Sequence, residues 1–83
     1  MKIQVRYFAS LREALGASET VDAAEGFTVG QLRNALIARG GPHAQALARG
    51  RAVRTALDQV LCSEATLLRD GAELAFFPPV TGG

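Results

Sequence analysis

Ala72-Glu73-Leu74-Ala75-Phe76-Phe77-Pro78-Pro79-Val80-Thr81-Gly82-Gly83 reads as a strand that runs into its own terminator. Leu74 and Phe76 alternate with Glu73, Ala75 and Phe77, the period of a half-buried strand. Pro78 and Pro79 then hold φ near −65° and donate no backbone hydrogen bond, so a sheet cannot continue through them. Phe77 and Pro78 each precede a proline and are biased to extended geometry. This divides the chain into a body, residues 1–77, and a stiff projecting tail, residues 78–83. Gly82 and Gly83 lack a Cβ and can pass through a channel too narrow for side chains. The chemistry left at the tip is the α-carboxylate of Gly83. A diglycine alone fits a frayed end as well as a working end; the Phe-Phe-Pro-Pro before it favours a working carboxylate.

A second alternating segment opens the chain. Ile3, Val5 and Tyr7 face one way and Lys2, Gln4, Arg6 and Phe8 the other, a strand with Ile3 and Val5 in the core. Ser10-Leu11-Arg12-Glu13 reads as a capping box for a short helix that Gly16 stops. A weak second strand follows over Glu19–Ala24. Thr28-Val29-Gly30-Gln31 is another capping box, with Phe27 and Leu32 placed as a hydrophobic staple. Val29, Leu32, Ala35 and Leu36 form the apolar stripe of the main helix, which Gly40-Gly41-Pro42 ends. Residues 40–50 read as loop, with room for one helical turn over Ala44–Leu47. Ala52–Leu57 and Val60–Cys62 read as strands about a turn at Asp58-Gln59, and Asp70-Gly71 turns the chain into the last strand.

The order β-α-β-α-β-β-β, with one main helix over a mixed sheet, is an α+β arrangement. Half-buried first and last strands in so short a chain point to a β-grasp, ubiquitin-like domain. Eighty-three residues, 48% hydrophobic and 20% charged, suit one small globular domain. The composition offers no membrane-spanning run and the N-terminus no signal peptide, so the reading is cytoplasmic with no membrane partner. A single cysteine, Cys62, agrees with that compartment. A net charge of +1 gives no footprint for nucleic acid.

The charge is unevenly spread. No Asp or Glu lies between Gly26 and Leu57, where Arg33, Arg39, Arg49, Arg51 and Arg54 all fall. They form either a solvated basic face or a surface that steers an acidic partner or phosphorylated ligand. Phe8 and Phe77 fall on the side away from the helix. With Leu61 they could form a partner-binding patch near the tail, unless a twist or bulge turns one ring inward.

The body carries no candidate active site. Cys62 and His43 cannot make a closed zinc site, and no metal is expected. Cys62, in an apolar run, reads as a buried structural thiol, and His43, beside Pro42, as a loop residue. No phosphate-cradling glycine loop is present. Any chemistry belongs to the tail, with catalysis supplied by a partner.

Phe76-Phe-Pro-Pro-Val-Thr-Gly-Gly83 resembles the C-terminal signature of the molybdopterin synthase small subunits, a family of ubiquitin-like sulfur carriers. Tyr7-Phe8-Ala9-Ser10-Leu11-Arg12-Glu13 resembles that family's first strand and helix start, and Asp70-Gly71 fits as well. Asp58 stands where many members carry asparagine.

The resemblance implies a sulfurtransferase subunit without a catalytic site or bound cofactor in its own body. An ATP-dependent activating enzyme adenylates Gly83, and a sulfur donor protein converts the acyl-adenylate to a thiocarboxylate. Pro78, Pro79, Val80, Thr81 and Gly82 insert into the large subunit, where the covalent sulfur at Gly83 passes to cyclic pyranopterin monophosphate. Phe8, Leu61 and Phe77, with Arg12 beside them, match the docking positions, and two small subunits would flank a large-subunit dimer in a heterotetramer. The rival readings are a sulfur carrier for thiamin or tRNA thiolation, a protein modifier joined to lysine through Gly83, and an interaction domain with an inert tail.

Overall fold

A computed structural model describes residues 1–79 of the chain; the expectations placed on Val80, Thr81, Gly82 and Gly83 lie outside the described residues. The elements are β1 (Lys2–Tyr7), α1 (Ser10–Leu15), β2 (Ser18–Asp22), α2 (Val29–Ile37), α3 (Gly41–Ala46), β3 (Arg54–Leu57), β4 (Val60–Cys62) and β5 (Glu73–Phe77). The sheet runs β2-β1-β5-β3-β4. Its two central strands, β1 and β5, are parallel, and every other neighbouring pair is antiparallel.

The alternation read from the sequence sets the two faces. Ile3, Val5 and Tyr7 of β1 and Leu74 and Phe76 of β5 are buried on the inner face. Val29, Leu32 and Leu36 of α2 pack there, with Leu47 closing the end. Tyr7 and Phe76, paired in register, stack with their ring centroids 6.1 Å apart. The main helix begins on a complete capping box. Thr28 Oγ1 accepts from Gln31 N at 3.2 Å, and Gln31 Oε1 accepts from Thr28 N at 2.8 Å.

Several local expectations are corrected. The Ser10–Glu13 capping box does not form: Ala9 is the N-cap residue, at φ 54°, and no side chain caps the helix. Phe8 is still tied to the sheet through its N–H to Phe76 O (3.1 Å), so the chain must reverse within one residue and α1 starts a position early. The element order gains a helix. Gly40 and Gly41-Pro42 do end α2, but Pro42 sits in the first turn of α3, where a missing N–H costs nothing. His43 is therefore helical rather than in a loop. β2 lies at Ser18–Asp22 instead of Glu19–Ala24, and β3 starts at Arg54 instead of Ala52, because residues 47–53 wrap around the side chain of Arg33.

The β3–β4 hairpin turns on two residues of positive φ, Asp58 (49°) and Gln59 (70°), the pattern of a type I′ turn. Neither is glycine, which is why the turn signal in the sequence is faint. Asp58 N donates to Glu73 O (2.8 Å) and Glu73 N donates to Asp58 Oδ1 (2.9 Å), tying the turn to the start of β5.

Candidate functional site

Strand register places the candidate side chains. Because β1 and β5 are parallel and Tyr7 pairs with Phe76, Phe8 comes level with Phe77 on the outer face, away from α2. β3 sets Arg54 opposite Phe77 and Ala56 opposite Ala75, and β4 sets Leu61 opposite Ala56. The outer face thus carries Leu61, Ala56, Ala75 and Arg6 in one row and Arg54, Phe77 and Phe8 in the next. No bulge turns either ring inward. Phe8 is 40% exposed and Leu61 69%, while Phe77 is half-buried. Arg6 stacks over the Phe8 ring at 5.6 Å while its Nη1 reaches Glu73 Oε1 at 3.3 Å, which keeps the ring on the surface. Arg12, exposed on α1, follows immediately, its N–H directed at Phe8 O (3.4 Å).

β5 ends at Phe77, at the same end of the sheet as Phe8. Pro78 and Pro79 are half-buried. Pro79 borders a groove of about 490 Å³ whose other walls include Val53, Arg54, Leu61 and Glu64. Pro79 therefore leans on the β3–β4 side of the body.

Behind that groove lies a polar structure that the sequence reading missed. Arg33 is only 3% exposed, not part of a solvated basic face. Its Nε donates to Leu47 O (2.9 Å), Nη2 to Ala48 O (2.8 Å) and Arg51 O (3.3 Å), and Nη1 to Glu64 Oε2 (2.8 Å). Arg49 Nη1 holds the other oxygen of Glu64, and Arg49 Nη2 donates to Gly30 O (3.0 Å) and Asn34 Oδ1 (2.7 Å). Burial pushes the Glu64 carboxyl upward, but the two guanidiniums outweigh it and hold it below its ordinary value. Gly30 makes the approach possible, since a Cβ there would lie 3.0 Å from Glu64 Oε1 and 3.2 Å from its carbonyl oxygen. An arginine on the apolar side of a helix stripe was the available signal.

A second node lies under the inner face. Glu19 accepts from Arg39 Nη1 (2.6 Å) and Tyr7 OH (2.8 Å), and its Oε2 is 2.9 Å from His43 Nε2. Burial disfavours the Glu19 carboxylate, yet Arg39, His43 and Tyr7 together bring it down to about 2. Cys62 is half-buried, its Sγ 3.6 Å from Thr55 Oγ1. Among the described residues no group of three metal-binding side chains occurs, and no helix is long and apolar enough to cross a membrane.

A five-stranded mixed sheet under one main helix, with its central last strand leading into a Pro-Pro-containing terminus beside two surface aromatics, defines a β-grasp domain of the ubiquitin-like sulfur-carrier type. The chain belongs to the ThiS family, whose model matches residues 5–83. It is 44% identical over 81 residues to the molybdopterin synthase sulfur carrier subunit of Escherichia coli, covering 98% of this chain and 99% of that one. The crystal structure of SAMP1 from Haloferax volcanii superposes with a TM-score of 0.80 at 26% identity, over 100% of both chains. A chain in the complex of subunits 1 and 2 of molybdopterin-converting factor from Helicobacter pylori matches with a TM-score of 0.71 at 26% identity, again over 100% of both chains.

Proposed function

We propose that this chain is the sulfur-carrier subunit of a molybdopterin synthase and that Gly83 is its working residue. The observation that carries this is 44% identity, over 98% of the chain, with a curated sulfur carrier subunit, in a chain whose last strand ends at Phe77, level with Phe8. A carboxylate is a poor electrophile. Attack of the Gly83 carboxylate on the α-phosphate of ATP, in an activating enzyme, expels pyrophosphate and gives a mixed anhydride with AMP. A sulfur donor then attacks the acyl carbon and displaces AMP: sulfide leaves a thiocarboxylate directly, and a donor persulfide leaves it once a thiol reductant has cleaved the S–S bond. Its sulfur is anionic at neutral pH and nucleophilic, in line with thiolate chemistry.

The tail, Pro78 to Gly82, threads into the large subunit, and the sulfur passes to cyclic pyranopterin monophosphate to build a dithiolene. Phe8, Leu61 and Phe77, with Arg12, dock the body, and two small subunits flank a large-subunit dimer. The same face serves the activating enzyme, so the two partners compete. Groups that handle the pterin belong to the large subunit, in the cytoplasm.

Intact mass spectrometry after incubation with ATP, the cognate activating enzyme and a sulfur source tests this. The expected result is a gain equal to the sulfur–oxygen difference, on the C-terminal peptide, discharged by the large subunit and cyclic pyranopterin monophosphate. No gain, with an enzyme active on a control carrier, would overturn the reading. The likeness to SAMP1, a small archaeal modifier protein by the name of a related structure, favours one second reading, conjugation of Gly83 to lysine, which a higher-mass conjugate on a gel would reveal.

A further inference from the structure

The charges of this molecule separate along the strand axis. Of its nine lysine and arginine side chains, six are ion-paired: Lys2 with Asp22, Arg6 with Glu73, Arg33 and Arg49 with Glu64, Arg39 with Glu19, and Arg69 with Asp58. Arg12, Arg51 and Arg54 have no carboxylate partner among the described residues, and all three are exposed. The topology gathers them at one end. β1 and β5 run parallel and finish together, so α1 with Arg12 starts where the tail leaves. β3 runs the other way, so Arg54 lies level with Phe77, and Arg51 precedes it by three residues. β4 ends there too, and the carboxylate that follows, Glu64, is already held by two guanidiniums. Glu13 on α1 is the remaining acid nearby.

The opposite end is acidic. Asp22 closes β2 with Glu25 just after it, Asp58 forms the hairpin turn, and Asp70 and Glu73 begin β5, against Lys2, Arg69 and the Met1 ammonium. A domain of net charge +1 thus carries an excess of positive charge around the root of its tail and of negative charge at the far end.

We propose that this basic end is a steering surface, and that the mouth into which the tail inserts is ringed by acidic side chains of the partner protein. This deepens the reading of the tail as the inserted segment and rests on it. Three unpaired guanidiniums beside the apolar Phe8–Phe77 pair orient the body during approach, tail first, while the acidic end is repelled. Arg54 has the largest part, because it shares the outer face with Phe77 and borders the groove with Pro79.

The test is the association rate with the cognate large subunit, by stopped flow, from about 10 mM to about 500 mM salt, which shortens the Debye length from about 30 Å to under about 5 Å. The expected result is a rate that falls steeply with salt. Arg54→Glu slows it by about tenfold at low salt, and Arg69→Glu, the same change at the far end, moves it by less than about twofold. Association with a rate indifferent to salt and to Arg54→Glu would overturn the proposal and leave the function reading standing. If the two proteins fail to associate at any salt, the function reading falls, and NMR titration with hexaglutamate decides the proposal. Shifts confined to residues around Arg12, Arg51 and Arg54 support it, and absent or uniformly spread shifts overturn it.

Discussion

Arg33 Nη1 lies 2.8 Å from Glu64 Oε2, and the other nitrogens of the same guanidinium hold the carbonyls of Leu47, Ala48 and Arg51. One side chain from α2 thus pins both the segment that enters the β3–β4 hairpin and the segment that leaves it. No buried side-chain nitrogen or oxygen among the described residues lacks a partner. Arg33→Met would leave the carbonyls of Leu47, Ala48 and Arg51 without their donor and Glu64 with Arg49 alone, and the expected cost is about 2–4 kcal/mol of unfolding free energy. Urea denaturation measures it; a loss below about 1 kcal/mol would show that the surrounding loops repack without the arginine.

The hairpin turn offers the reverse case. Gln59 sits at φ 70°, a region where a Cβ is strained and glycine is not. Gln59→Gly is expected to stabilise the fold by about 0.5–1 kcal/mol, read as a rise in thermal midpoint. Asp58→Ala should lower it, because the acceptor for Glu73 N is lost.

Acid stability should report on Glu19. Its folded-state pKa is about 2, below the ordinary carboxylate value, because burial, which opposes the charge, is outweighed by Arg39, His43 and Tyr7. The folded state therefore binds fewer protons than the unfolded state between those values, and unfolding free energy rises with pH there. The stabilisation is present above the ordinary value and is lost as pH falls from about 5 to about 2. Glu64, shifted the same way, adds to this limb. In Glu19→Gln the acid limb should be shallower, which denaturation midpoints across that range would measure; an unchanged slope would mean that Glu19 is not the group responsible.

Leu61 is 69% exposed and lies on the outer face, so Leu61→Ser should leave stability within about 0.5 kcal/mol of the parent. Affinity for the large subunit is expected to fall about tenfold or more, as for an apolar anchor at an interface centre. Calorimetry of the two proteins decides it, and unchanged affinity would move the docking face elsewhere.

Deletion of Gly83, or Gly83→Ala, should abolish sulfur transfer with a thermal midpoint close to the parent's, since the buried core is already built from residues between Ile3 and Phe76. A large loss of stability would contradict the division into body and tail.

Much of this architecture follows from local pattern. Period-two alternation in Lys2–Phe8 and Ala72–Phe77 was enough to assign both central strands and their buried faces, because a half-buried strand cannot hide its parity. Thr28 and Gln31 marked the start of the main helix, because a capping box is closed within four residues. The Pro-Pro-Val-Thr-Gly-Gly ending announced itself through what proline and glycine do to a backbone wherever they stand. The same logic failed at Ser10, where the sheet holds Phe8 and forces Ala9 to positive φ, and at Asp58-Gln59, whose conformation is secured by Glu73 fifteen residues away. Folding likewise decided the fate of the arginines. In sequence, Arg33, Arg49 and Arg54 look alike. Only the packing of α2 against two loops makes the first two a clamp on Glu64, Arg33 buried and Arg49 at the surface, and only the antiparallel register of β3 with β5 sets the third beside Phe77 at the root of the tail. Residue type and spacing carry what a segment does to itself. Which charges are neutralised and which face a partner depends on chain segments brought together over long separations.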